Sequence, residues 1–170
     1  MKVPQVTIPH IEVEMTVDLP RAEVWRRWTT SEGVATFFAP ESHIELRLGG
    51  AYELYFLPKD APEGQRGSEG CRILAYAPER MLAFTWNAPP QLPNARQHHT
   101  WVVLALEDSD DGRTQVLLTH LGFAELAARH AEHATEFERT RDYFARVWPH
   151  VLGALKASSP AAAADRQQET

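Results

Sequence analysis

Phe137, Phe144, Trp148, Val151, Leu152 and Leu155 recur at spacings that keep them on one face of a helix, and they follow a run of strand-like segments from about Ile44 to Leu121. That order constrains the fold. An antiparallel sheet has one apolar face, and a long helix laid across it supplies the opposing wall. Where the sheet curves, the space between sheet and helix can stay open as a cavity. The expectation is an α+β fold: a curved antiparallel sheet of six to seven strands, two short helices, and a long C-terminal helix packed across the sheet.

The segments ahead of that helix can be placed one by one. Ile11, Val13, Met15 and Val17 alternate with Glu12, Glu14, Thr16 and Asp18, the period of a strand with one wet face. Asp18-Leu19-Pro20 stops the strand and starts a helix, because proline's fixed φ suits a first helical turn. Thr30-Ser31-Glu32 marks a second capped start, which runs through Val34 to Phe37 and Phe38 and ends at Ala39-Pro40. Strands then run from His43 to Leu48 and from Ala51 to Leu57, turning at Gly49-Gly50. Gly70 to Ala77 and Arg80 to Trp86 form one hairpin, and His98 to Glu107 and Thr114 to Leu121 another. Connections this short force neighbouring strands to be antiparallel. Asn87 to Arg96, with three prolines, reads as an exposed loop. Pro149 inside the closing pattern predicts a kink or a break just before it. Residues 1–156 read as one domain, and the small and polar run 157–170 as a disordered tail.

Charge and composition narrow the function. A formal charge of −6 with no run of lysines and arginines argues against nucleic acid or an anionic membrane as partner. The single cysteine, Cys71, excludes an internal disulfide framework and lacks the paired spacing of a zinc or redox motif. The first residues have no apolar core of signal-peptide length, and no stretch approaches the ~20 apolar residues of a membrane span, so the expected setting is cytoplasmic. There is no Gly-x-Ser-x-Gly elbow, phosphate loop or dinucleotide fingerprint.

Four blocks carry a resemblance: Leu48-Gly49-Gly50-Ala51-Tyr52, Pro78 to Trp86, Gly112 to His120, and Trp148 to Lys156. In that order they resemble the family related to the C-terminal domain of the activator of the heat-shock-protein-90 ATPase. This is a branch of the START-like helix-grip superfamily, SRPBCC. Asp18 to Thr29 is similar to the first helix of that superfamily, and Val147-Trp148 stands where the family usually has Gly-Trp. The resemblance implies an apolar cavity between the sheet and the last helix, used for a small hydrophobic molecule and needing no cofactor. It leaves two alternatives open: a cofactor-free enzyme acting on such a molecule, and a chaperone-associated, stress-response interaction module. A homodimer is compatible with each.

Parity selects the candidate residues. Tyr52, Leu54 and Phe56 share one strand face, Leu82, Phe84 and Trp86 another, and Val116, Leu118 and His120 a third. With the apolar sets inward, His120 has two readings: a neutral buried histidine, or a polar anchor inside an apolar pocket. General acid–base chemistry through His120 or Tyr52 is the catalytic option, with no catalytic residue assigned. His98 shares parity with Thr100 on the adjacent strand and is placed near His120; without a carboxylate, the pair makes no metal site, and neither do His130 and His133. The expected ligand-contacting set is Phe37, Phe38, Tyr52, Trp86, His120, Phe144 and Trp148.

Overall fold

Helix and strand follow one another in the order the hydrophobic patterning predicts, with two further short helices, Pro93–Arg96 and Phe123–Arg129, that it does not. A computed structural model describes residues 7–160 and Gln167. Strand β1 (Ile11–Val17) leads to helices α1 (Arg21–Thr29) and α2 (Ser31–Val34). Strands β2 (Glu41–Ile44), β3 (Tyr52–Tyr55), β4 (Ile73–Ala77) and β5 (Met81–Trp86) come next. A short helix α3 (Pro93–Arg96) precedes β6 (Thr100–Asp108) and β7 (Thr114–Leu121), and α4 (Phe123–Arg129) and α5 (Ala134–Ala157) close the chain.

The local chemistry explains these boundaries. Pro20 stands just before α1 with φ −67°, and the Thr30 side chain accepts the Gly33 N–H to cap α2. Gly122 turns β7 into α4 at φ 104°, where a Cβ would stand 2.6 Å from the Trp101 ring. Only glycine fits there without strain.

The seven strands divide into two sheets. Five pair antiparallel in the order β1-β7-β6-β5-β4, and β2 pairs with β3 alone. Single bridges, Ala51 to Arg72 and Tyr55 to Gly67, join the hairpin to the rest. The larger surface is interrupted because the segment after β3 is loop; a Cβ on Gly67 would lie 1.8 Å from the Leu54 carbonyl oxygen.

Helix α5 lies over the sheet and buries Phe137, Thr140, Phe144, Trp148, Leu152 and Leu155. Opposite them stand Leu82, Phe84, Val102, Leu104, Val116 and Leu118, all fully buried. The break expected at Pro149 does not occur. The helix continues through it, and Pro149 is on the exposed side, where water can reach the carbonyl its missing N–H leaves free.

Two further expectations change. Asn87 to Arg96 is not an exposed loop: Asn87, Ala88, Pro89, Leu92 and Ala95 are buried. The Glu136 carboxylate on α5 holds this segment down, accepting from Asn94 Nδ2 at 2.9 Å and from the Ala95 N–H at 2.8 Å. The tail expected from Ala157 onward starts with packed residues. Arg27 donates to Ser158 Oγ at 2.6 Å, and Ser159 is fully buried. The rest of that tail, except Pro160 and Gln167, lies outside the described residues.

Candidate functional site

A cavity of about 600 Å³ lies between α5, the end of β5 and the loops that follow β3 and β5, so the sheet contributes only Trp86 where a sheet-wide wall was expected. Four segments wall it. Phe38 comes from the turns after α2, and Phe56, Leu57 and residues 65–67 from the loop between β3 and β4. The end of β5 and the segment after it supply Trp86 to Gln91 and Arg96, and α5 supplies Tyr143, Phe144, Val147, Trp148 and Val151. The α5 residues fall at i, i+1, i+4, i+5 and i+8, which is one helical face.

Aromatic rings make the floor. Trp86 and Trp148 stand 5.6 Å apart between ring centroids, and Phe38 is 5.8 Å from each. Phe144 stacks on Trp148 at 5.7 Å. Tilted and edge-on contacts of this kind add ~0.5–1.5 kcal/mol per pair beyond area burial, so the floor is preformed and stiff.

Behind the floor a hydrogen-bonded chain runs from the Trp148 indole to the Trp86 backbone. Trp148 Nε1–H donates to His120 Nδ1 at 2.9 Å. An indole nitrogen only donates, so Nδ1 carries the lone pair and the imidazole proton sits on Nε2. Nε2–H then donates to Thr100 Oγ1 at 2.7 Å, and the Thr100 hydroxyl donates to the Trp86 carbonyl at 3.1 Å. Burial pushes the imidazole down to about 3, so the ring is neutral and every polar atom in the chain is satisfied.

Of the residues singled out by sequence, Phe38, Trp86, Phe144 and Trp148 line the cavity together. His120 is behind them, packed by Phe123 and Phe144. Tyr52 is fully buried elsewhere: its hydroxyl donates to the Trp28 carbonyl at 2.8 Å, and burial raises its pKa. Phe37 packs edge-on against Trp28. His98 does not meet His120. It stacks on His130 at 3.7 Å, and Thr100 is the residue that reaches the imidazole.

Sequence reasoning missed the other walls. Tyr143, Val147 and Val151 follow an i, i+4, i+8 stripe that periodicity could have exposed. Asn87, Arg66 and Arg96 carry no such signal, because their positions depend on loop contacts. Arg96 Nη1 donates to the Ala88 carbonyl at 2.5 Å, and Nη2 to the Gly64 and Gly67 carbonyls at 2.7 Å each. Arg66 lies 4.3 Å over the Tyr55 ring and pairs with Glu41 at 2.9 Å. Among the described residues these two arginines are the only charged side chains in the lining.

The arrangement offers binding surface more than reactive groups. Burial pushes the Cys71 thiol up to about 12, so it holds its proton. Among the described residues no group of three or more His, Cys, Asp or Glu is placed to hold a metal ion, and no helix is long and apolar enough to cross a membrane.

The sequence profile described as Activator of Hsp90 ATPase homolog 1-like protein matches residues 18–158. The chain belongs to that family. Its fold is the START-like helix-grip, a fold that typically binds hydrophobic ligands. The profile spans α1 through α5, so every wall of the cavity lies inside the part shared with the family.

Solved structures of relatives show the same architecture. A protein from Mesorhizobium loti superposes with a TM-score of 0.67 at 19% identity, covering 88% of this chain and 96% of that one. The solution structure of the Aha1 dimer from Colwellia psychrerythraea gives 0.58 at 14% identity, covering 91% of this chain and 98% of that one. A Staphylococcus saprophyticus protein gives 0.57 at 19% identity over 88% and 90%. No curated protein matches the sequence.

Proposed function

We propose that the protein binds a small apolar molecule in the cavity between α5, the end of β5 and the loops beside it, in contact with Phe38, Trp86, Phe144 and Trp148. One observation carries this reading: about 600 Å³ of space stands open beside the aromatic cluster of Phe38, Trp86, Phe144 and Trp148, with the Trp148 N–H already bonded to His120. Ligand pockets typically measure ~300–1,000 Å³, are mostly apolar, and are largely formed before the ligand arrives. The apolar surface that lines it gains by being covered. Catalysis and chaperone contact have no comparable observation behind them.

Thermal denaturation against a panel of fatty acids, sterols and polycyclic aromatics tests the proposal. A ligand at ~100 times its Kd stabilises the folded state by about 2.7 kcal/mol, which is a shift of several degrees in a domain of this size. At least one apolar class should raise the melting temperature. A panel without any shift would overturn the reading.

A further inference from the structure

The charge around the cavity differs in sign from the charge of the chain. The sequence holds 23 acidic against 17 basic residues, yet the lining contains Arg66 and Arg96 and no carboxylate. An adjoining groove shares Pro89, Gln91 and Tyr143 with the cavity and adds Arg139, Arg146 and Asp142. Asp142 is engaged by Arg141 at 3.5 Å, and among the described residues Arg139 and Arg146 form no ion pair.

The two lining arginines are not equivalent. The charge of Arg66 is met by Glu41 at 2.9 Å. The carboxylate partner of Arg96, Glu69, stands further off at 3.7 Å and also accepts the Gly67 and Arg66 N–H groups. The three close partners of Arg96 are carbonyl oxygens, which orient a guanidinium without cancelling its charge. Burial lowers the Arg96 pKa, while the charge of Glu69 works in the opposite direction. Beside Arg96, Asn87 Nδ2 donates to the Gly67 carbonyl, so an amide completes this polar wall.

Resting on the binding function proposed above, we infer that the ligand is an apolar molecule carrying a single carboxylate, its body over Trp86 and Trp148 and its anion against the wall made by Arg96 and Asn87. A single guanidinium whose own carboxylate partner stands back at 3.7 Å suits a monoanion. A carboxylate there makes charge-assisted hydrogen bonds in a partly desolvated site, where they are strongest.

Isothermal titration calorimetry of the full chain with three probes of one shape tests this: 2-naphthoate, 2-naphthamide and 2-naphthylmethylammonium. The naphthoate should bind at least ~10-fold tighter than the amide, about 1.4 kcal/mol, and the ammonium should bind most weakly. Raising the salt to about 0.5 M should shrink the naphthoate's advantage, because screening acts on charge and not on the apolar body. Arg96→Gln should bring the naphthoate and naphthamide affinities together. The salt series needs no variant, so it decides the matter if Arg96→Gln fails to fold. Equal affinity for the three probes overturns the anionic ligand and leaves the apolar cavity standing. No binding heat from any of them, under conditions where the apolar panel also produces no thermal shift, overturns both; no heat with a shift from the sterols or polycyclic aromatics and none from the fatty acids overturns the carboxylate alone, whereas a shift from the fatty acids alone upholds it.

Discussion

Trp148 donates its indole proton to His120 Nδ1 across 2.9 Å, tying the middle of the closing helix to the strand beneath it. The bond is fully buried, and its continuation through Thr100 ends on the backbone of Trp86, the other tryptophan of the cavity floor. A histidine on an inward strand face therefore acts as a cross-link between two elements. Removing it should be costly. His120→Leu keeps the apolar volume but orphans the Trp148 N–H and one bond of Thr100, each a loss of ~1–3 kcal/mol. The expected destabilisation is about 2–4 kcal/mol in a urea titration, with the m-value unchanged. A loss below ~1 kcal/mol would show that the chain contributes little.

The same imidazole makes stability depend on pH. In the unfolded chain His120 takes up a proton near its ordinary value of 6.5, whereas the folded site resists it down to about 3. Between those values the unfolded state binds more protons, so stability is full above pH 6.5 and falls as the pH drops through the window. The slope from one such group is ~1.4 kcal/mol per pH unit. His98 and His99, also held down mainly by burial, add in the same direction. Below about pH 4.5 Glu23 joins them, since Arg26 and Arg27 hold its carboxyl at about 2 in the folded state. Denaturant midpoints from pH 7 to 4.5 isolate the histidine part. The slope of His120→Leu should be shallower than that of the wild type by roughly one proton.

How far the sequence speaks depends on how local the determinant is. The buried face of α5 was visible in it, because Phe137, Phe144, Trp148, Leu152 and Leu155 need only helical spacing to be recognised. Strand parity likewise turned His120 and Tyr52 inward. It could not say what they meet: the Trp28 carbonyl that accepts from Tyr52 lies 24 residues away in sequence, and Trp148 lies 28 from His120. The segment after β5 was misread for the same reason. Prolines and asparagine mark loops in general, but Glu136, 42 residues on from Asn94, decides that this loop is packed and walls the cavity. Arg96 follows from that packing, so neither its burial nor its place in the lining has a local signature.

Val147 offers a way to close the cavity while leaving its floor intact. It lines the space from α5 and is half-buried, so a larger side chain can grow into the void in place of packed atoms. Val147→Trp should lower the affinity for any apolar ligand found by thermal shift at least ~10-fold. Overpacking in a filled core costs ~1–3 kcal/mol, but here the added rings have room, and the stability change should stay under about 1 kcal/mol. Unchanged affinity in a folded Val147→Trp protein would place the ligand elsewhere.

Glu136 controls the opposite wall. Its carboxylate accepts from Asn94 Nδ2 and from the Ala95 N–H, and it is the anchor that holds the buried stretch around Leu92 and Ala95 against α5. Hydrogen bonds to a charged acceptor contribute ~1.5–3 kcal/mol, more than neutral ones. With Glu136→Ala both bonds go, and no neighbouring carboxylate bonds Asn94 or Ala95 in its place. The loss should be local. Hydrogen exchange at residues 91–97 should quicken by ~10-fold or more, while amides in β6 and β7 keep their protection. Because this stretch walls the cavity, ligand affinity should fall together with its protection. Exchange that accelerates equally across the sheet would mean instead that the bond stabilises the whole fold and that the wall has no separate opening motion.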